Sequence, residues 1–233
     1  MVVLLVSPSR IVRDIFISEL IPRGITLLWA ENTEGCIAKI EKKLQFDVIV
    51  VETSSKFEFL NLYNAIKSLG IKPIFVLYSE IKSQEEIYYY LKLGVAGFLQ
   101  KPLDRTKIFQ TLVKAYESFK GAPPERQVVR VQLLEGEGSI DYTSKSLVKI
   151  VGSIIDISIG GLAFSYAPKY EEHIVEMEEI DSIKVILRSE ETFVKGKIKT
   201  KIPEKRIAVI VFTQLNIDAI QKISKFIFYK TSM

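Results

Sequence analysis

Five short apolar runs alternate with five amphipathic helical patterns over the first 120 residues, and this alternation leaves few folds open. The runs near Val2–Val6, Ile25–Ala30, Asp47–Glu52, Pro73–Tyr78 and Ala96–Gln100 are almost continuously Val, Ile and Leu. Strands of that kind are covered on both faces, as in a parallel sheet flanked by helices. The intervening patterns predict helices near Ser9–Leu20, Thr33–Leu44, Phe57–Leu69, Gln84–Leu93 and Arg105–Phe119. Ser83 and Glu86 form a capping-box pattern, and Gly94 is placed to end that helix. Ile108, Leu112, Val113, Tyr116 and Phe119 are the expected buried stripe of the last one.

Gly121-Ala122-Pro123-Pro124-Glu125 interrupts this pattern and is read as a linker, residues 121–125. Beyond it the periodicity changes from helical to strand-like. Val128-Val129 and Val131 to Leu134 surround Arg130. Further runs follow at Leu147 to Ile157, Leu162 to Phe164, Ile183 to Leu187, Phe193 to Ile202 and Ile207 to Phe212. Lys195, Lys197, Lys199 and Lys201 alternate with Gly196, Ile198, Thr200 and Ile202, the period of a half-buried strand. Glu171 to Asp181 is an acidic loop or short helix that offsets these lysines. Asn216 to Tyr229 reads as one helix, with Asn216 as N-cap and Ile217, Ile220, Ile223, Phe226 and Ile227 on its apolar side.

The chemistry concentrates after the linker. Arg126 and Arg130 stand four positions apart and share a face in a strand or a helix. Pro123-Pro124 and the β-branched residues between the arginines favour an extended segment. Asp156-x-Ser158-x-Gly160-Gly161 follows. A guanidinium gives paired hydrogen bonds to guanine O6 and N7 or to phosphate oxygens, and stacks on a base. A carboxylate accepts from guanine N1–H and N2–H, an edge adenine lacks. A hydroxyl serves phosphate or base, and glycines let backbone approach a ligand. The set describes a receptor for a guanine-containing phosphodiester; the competing reading is a basic edge beside an ordinary Asp/Ser/Gly turn.

With both motif halves present, residues 126–233 resemble the PilZ domain, the bacterial cyclic di-GMP receptor family. The resemblance implies a small antiparallel β-barrel with a C-terminal helix. It implies that Arg126 and Arg130 clamp phosphates and guanines, that Asp156 reads a guanine edge with Ser158 beside it, and that Gly160 and Gly161 shape the turn. Residues 1–120 resemble a response-regulator receiver domain: Val3 to Ser9, Asp47 to Glu52, Pro73 to Ser79 and Gly97 to Leu103 carry that likeness. It implies a flavodoxin-like (βα)5 fold with a five-stranded parallel sheet. The family's phosphorylation chemistry is degenerate here. Ser7 and Pro8 replace the two metal-binding acids, Glu52 stands at the phosphoacceptor aspartate, and Tyr78 replaces the switch Ser/Thr; Lys101 and Pro102 remain. Magnesium needs several hard oxygens, and Glu52 alone is a poor site. The expected first half therefore does not take phosphate, and Glu52 pairs with Lys101, either fixing an activated-like conformation or as a structural ion pair.

Composition excludes other classes. Net charge is +3 over residues 1–120 and +1 over the rest, too even for a general nucleic-acid binder. The one cysteine, Cys36, suits a reducing compartment, is expected to be buried, and forms no disulfide framework. The single histidine, His173, expected to be exposed, offers no metal cluster and no catalytic triad. Met1 to Val6 is too short for a signal peptide's apolar region, and no stretch approaches transmembrane length. The reading is a cytoplasmic, non-enzymatic signalling protein without a cofactor or a metal, with cyclic di-GMP as ligand and a downstream protein partner. Homodimerisation through the receiver-like half is expected from that resemblance. Tyr88-Tyr89-Tyr90 cannot all face inward, which leaves an aromatic for such a contact. The alternative is a protein–protein adaptor that binds no nucleotide.

Overall fold

A computed structural model describes residues 1–80, 83–120 and 128–232. The chain forms two compact units, one up to Gln127 and one from Val128. The expected linker, Gly121 to Glu125, and Arg126 lie outside the described residues.

The first unit alternates strand and helix throughout: β1 (Val2–Val6), α1 (Arg10–Leu20), β2 (Thr26–Ala30), α2 (Thr33–Glu41), β3 (Val48–Glu52), α3 (Lys56–Ser68), β4 (Ile74–Ser79), α4 (Gln84–Lys92), β5 (Val95–Gln100) and α5 (Arg105–Lys120). All five strands are parallel, in the order β2-β1-β3-β4-β5. Val3, Leu4, Leu5, Val48, Ile49, Val50, Val76 and Leu77 are fully buried, because helices cover both faces. Side chains Ser9, Asn32, Ser55 and Ser83 each accept a backbone N–H at the start of α1, α2, α3 and α4. The order reverses between β1 and β3, so the ends of those strands flank the crevice where such sheets carry their chemistry.

One expected stripe of this unit needs correction, and the tyrosine triplet divides as expected. On α5 the buried residues are Ile108, Leu112 and Ala115, while Phe119 is exposed on the last turn. In the triplet, Tyr90 packs edge-on against Phe59 at 5.4 Å, and Tyr88 is exposed. Cys36 is fully buried on α2, and burial pushes its thiol up to about 12. A thiol so protonated is a poor nucleophile. We expect native protein to react with a thiol reagent at least ~100-fold more slowly than denatured protein; comparable rates would show that the α2 packing opens readily.

The second unit contains β6 (Arg130–Gln132), β7 (Gly138–Thr143), β8 (Lys149–Ser158), β9 (Gly161–Tyr166), β10 (Glu179–Leu187), β11 (Glu190–Ile202), β12 (Ile207–Gln214) and α6 (Ile217–Ser232). Six antiparallel strands close in the order β8-β7-β10-β11-β12-β9, and β9 returns to β8. Strand β6 adds to the edge of β8 beyond the end of β7. Val128, Val129, Leu133 and Leu134 fall outside this short strand, and Leu134 is exposed.

Alternation along β11 holds from Thr192 to Ile198, then a bulge at Lys199 changes its phase and brings Ile202 to the surface. The acidic segment from Glu171 becomes a 3₁₀ turn (Pro168–His173) and the first residues of β10. It offsets the lysine stripe through Lys195–Asp181 and Lys201–Glu171 ion pairs of 3.4 and 3.3 Å. His173 is half-buried, with Nδ1 3.0 Å from Ser146 Oγ. Asn216 caps α6 by accepting from Ala219 N at 2.7 Å. The helix buries Ala219, Ile223, Phe226, Ile227 and Phe228, and Ile217 instead points to solvent.

Candidate functional site

Strand register assembles the site. Antiparallel pairing sets Arg130 opposite Ser158, Val131 opposite Ile157 and Gln132 opposite Asp156. Val131 and Ile157 face the barrel core, so Arg130, Gln132 and Asp156 face out. A bulge at Ile155 on β8 sets the phase that brings Asp156 to the outer face. From there Arg130 Nη1 donates diagonally to Asp156 Oδ1 at 2.8 Å, and the guanidinium stays about half exposed.

The turn after β8 is built by its own serine. Ser158 is only 2% exposed; its hydroxyl donates to Gly161 O at 3.1 Å and accepts from Gly160 N at 3.3 Å. Gly160 is exposed, and its carbonyl accepts from Phe212 N on β12 at 3.0 Å. Gly161, at φ 156°, lies flat on β12, where an added Cβ would come 2.2 Å from Ile210 O. Arg130, Asp156, Ser158, Gly160 and Gly161 thus occupy one corner of the barrel: an open ion pair beside the tight Ile159-Gly160 turn that joins β8 to β9. In this arrangement the Ser158 hydroxyl is spent on the turn rather than offered outward. Gln132, opposite Asp156, also belongs to this corner, and its one signal in the sequence is its place two residues after Arg130.

In the first unit, β1, β3 and β5 deliver Ser7, Glu52 and Lys101 to the crevice at their carboxyl ends. Glu52 Oε1 accepts from Lys101 Nζ at 2.8 Å, and Ser7 Oγ donates to Glu52 Oε2. Ser7 is fully buried and is fixed further by Ser9 N on its hydroxyl and Trp29 Nε1 on its carbonyl, at 3.1 and 2.9 Å. Lys101 Nζ also lies 5.0 Å from the ring centre of Tyr78, a nearly buried residue. Burial, then the Glu52 charge, raises the Tyr78 phenol above its ordinary range. Both Glu52 oxygens are therefore engaged by the protein. Loss of one partner from a pair this sheltered lies between the surface and buried limits. Glu52→Ala is expected to cost the first unit about 1–3 kcal/mol. Urea unfolding followed by Trp29, the single tryptophan and a β2 residue, measures it; an unchanged midpoint would show that the pair is energetically idle.

No helix among the described residues is long and apolar enough to cross a membrane. No protein-family model and no curated protein matches the sequence. Among solved structures the chain is similar to the PilZ domain with c-di-GMP of YcgR from Escherichia coli. That match has 10% identity and a TM-score of 0.37, and covers 43% of this chain and 87% of that one. It is also similar to a response regulator from Thermotoga maritima, at 20% identity and TM-score 0.45, over 50% of this chain and 97% of that one. A Francisella response regulator receiver domain matches at 18% identity and TM-score 0.44, over 50% and 98% of the two chains.

Proposed function

We propose that this chain is a non-enzymatic cyclic di-GMP receptor that relays ligand level to a protein partner. The observation that carries the reading is the Arg130–Asp156 pair, held open on the barrel surface beside the Ile159-Gly160 turn. The pair offers a fork for phosphate or guanine beside an acceptor for the guanine donor edge, next to an exposed glycine, Gly160, that presents no side chain to a ligand. Arg126 adds a second guanidinium from the segment leading into β6. The ligand draws that segment onto the barrel and changes the arrangement of the two domains or of a dimer.

In this proposal residues 126–233 are the ligand-binding domain and residues 121–125 the linker. Residues 1–120, with Glu52 and Lys101 locked together, supply protein contacts in the cytoplasm, including homodimer contacts, rather than a phosphorylation site. Motility, adhesion or surface polysaccharide is the output that the PilZ resemblance implies.

Calorimetric titration of cyclic di-GMP into the whole protein tests the reading. Saturable binding, with a fitted stoichiometry of one or two nucleotides, is the expected result. Absence of binding by calorimetry and by an independent probe sinks the receptor and leaves the adaptor.

A further inference from the structure

The register of β6 brings one more group to the site. Gln132 lies directly opposite Asp156, so the two side chains leave the same face of adjacent strands with Cβ atoms about 5 Å apart. Gln132 is exposed, and among the described residues its carboxamide makes no hydrogen bond. Asp156, by contrast, is held by Arg130 through one oxygen, which leaves the second oxygen and its lone pairs free to accept.

An acceptor and a free amide donor are therefore set side by side. The Watson–Crick edge of guanine presents O6 as acceptor next to N1–H and N2–H as donors. A carboxylate takes both donors but can do nothing for O6. An amide N–H beside it completes the set.

We infer that Gln132 is a specificity-determining residue of the nucleotide site. Its carboxamide donates to O6 of the guanine whose N1–H and N2–H are accepted by Asp156. Adenine offers the reverse order, an amino donor where guanine has O6 and a lone pair where guanine has N1–H. That lone pair faces the Asp156 carboxylate, so adenine loses the contact and meets repulsion. The inference rests on the receptor reading above and adds to it the base selectivity of that site.

The test titrates cyclic di-GMP and cyclic di-AMP into the full chain as wild type, Gln132→Leu, Gln132→Glu and Asp156→Ala. Gln132 lies on the surface, and thermal unfolding verifies that its variants fold. Deleting one neutral hydrogen bond should weaken cyclic di-GMP binding roughly 3- to 10-fold in Gln132→Leu. Gln132→Glu, which sets a carboxylate against O6, should lose at least as much. Both variants should narrow the preference for cyclic di-GMP over cyclic di-AMP.

If wild type binds and Asp156→Ala weakens binding while both Gln132 variants stay within twofold, the inference is overturned and the receptor stands. If wild type binds no cyclic di-GMP, the receptor reading fails first and the inference falls with it.

Discussion

Gly161→Ala is expected to destabilise the barrel by at least ~3 kcal/mol, whereas Gly160→Ala, one residue earlier, should change stability by less than ~0.5 kcal/mol. The two glycines look equivalent in sequence. At Gly161 a methyl group would meet Ile210 O at 2.2 Å and Val211 Cα at 3.1 Å. Both are backbone atoms of β12, which pairs with β9 along its length and cannot move aside without losing ladder hydrogen bonds. The backbone angle adds a penalty for any L side chain. At Gly160 the nearest atom is Ser158 Oγ at 3.8 Å, an ordinary contact. For a domain of this size ~3 kcal/mol lowers the melting temperature by about 12–24 °C. Far-UV melts of the two variants measure the contrast, and Trp29 fluorescence separates out the first unit. Equal melting temperatures would mean that β9 and β12 do not pack as described.

The legible part of the fold was the part where each element declares itself locally. Strands β1 and β3 to β5 are apolar runs too short for helices, set between helices with their own caps; Ser83 with Glu86 marked the start of α4 correctly. What periodicity could not supply was the extent of a buried face. Phe119 and Ile217 continue apolar stripes in sequence but stand on terminal turns of their helices, and both are exposed. Strand β7 escaped notice because only Ile140 and Tyr142 face the core, between Ser139, Asp141 and Thr143. Its identity as a strand comes from partners on β8 and β10, a long-range fact.

The site divides along the same line. Residue types announced Asp156, Ser158 and the glycines as one constellation. Whether Arg130 meets Asp156 depends on a register that a one-residue slip would invert. The inward commitment of the Ser158 hydroxyl depends on the turn it closes. Gln132 carries no motif signature, and only pairing with β8 connects it to Asp156.

The pairing of Arg130 with Asp156 also makes their substitutions unequal in a predictable direction. Each side chain contributes a charge-assisted contact, and losing one costs about 1.5–3 kcal/mol, or roughly 10- to 150-fold in affinity for cyclic di-GMP. The charge left behind then acts on an anionic ligand. Arg130→Ala removes the fork and unmasks the Asp156 carboxylate beside the phosphates, so its loss belongs at the upper end. Asp156→Ala removes the guanine acceptor but frees a guanidinium that attracts phosphate, so its loss belongs at the lower end and grows as salt screens that attraction. The double variant should fall short of the sum by about 0.5–3 kcal/mol, because the second substitution removes a group whose partner is already gone. Stability should hardly change, since a pair this exposed contributes about 0–1 kcal/mol to folding. Titrations of all four proteins at two salt concentrations decide the matter: equal, salt-independent and additive losses would mean that the two residues meet the ligand separately, and that their ion pair is not part of the recognition.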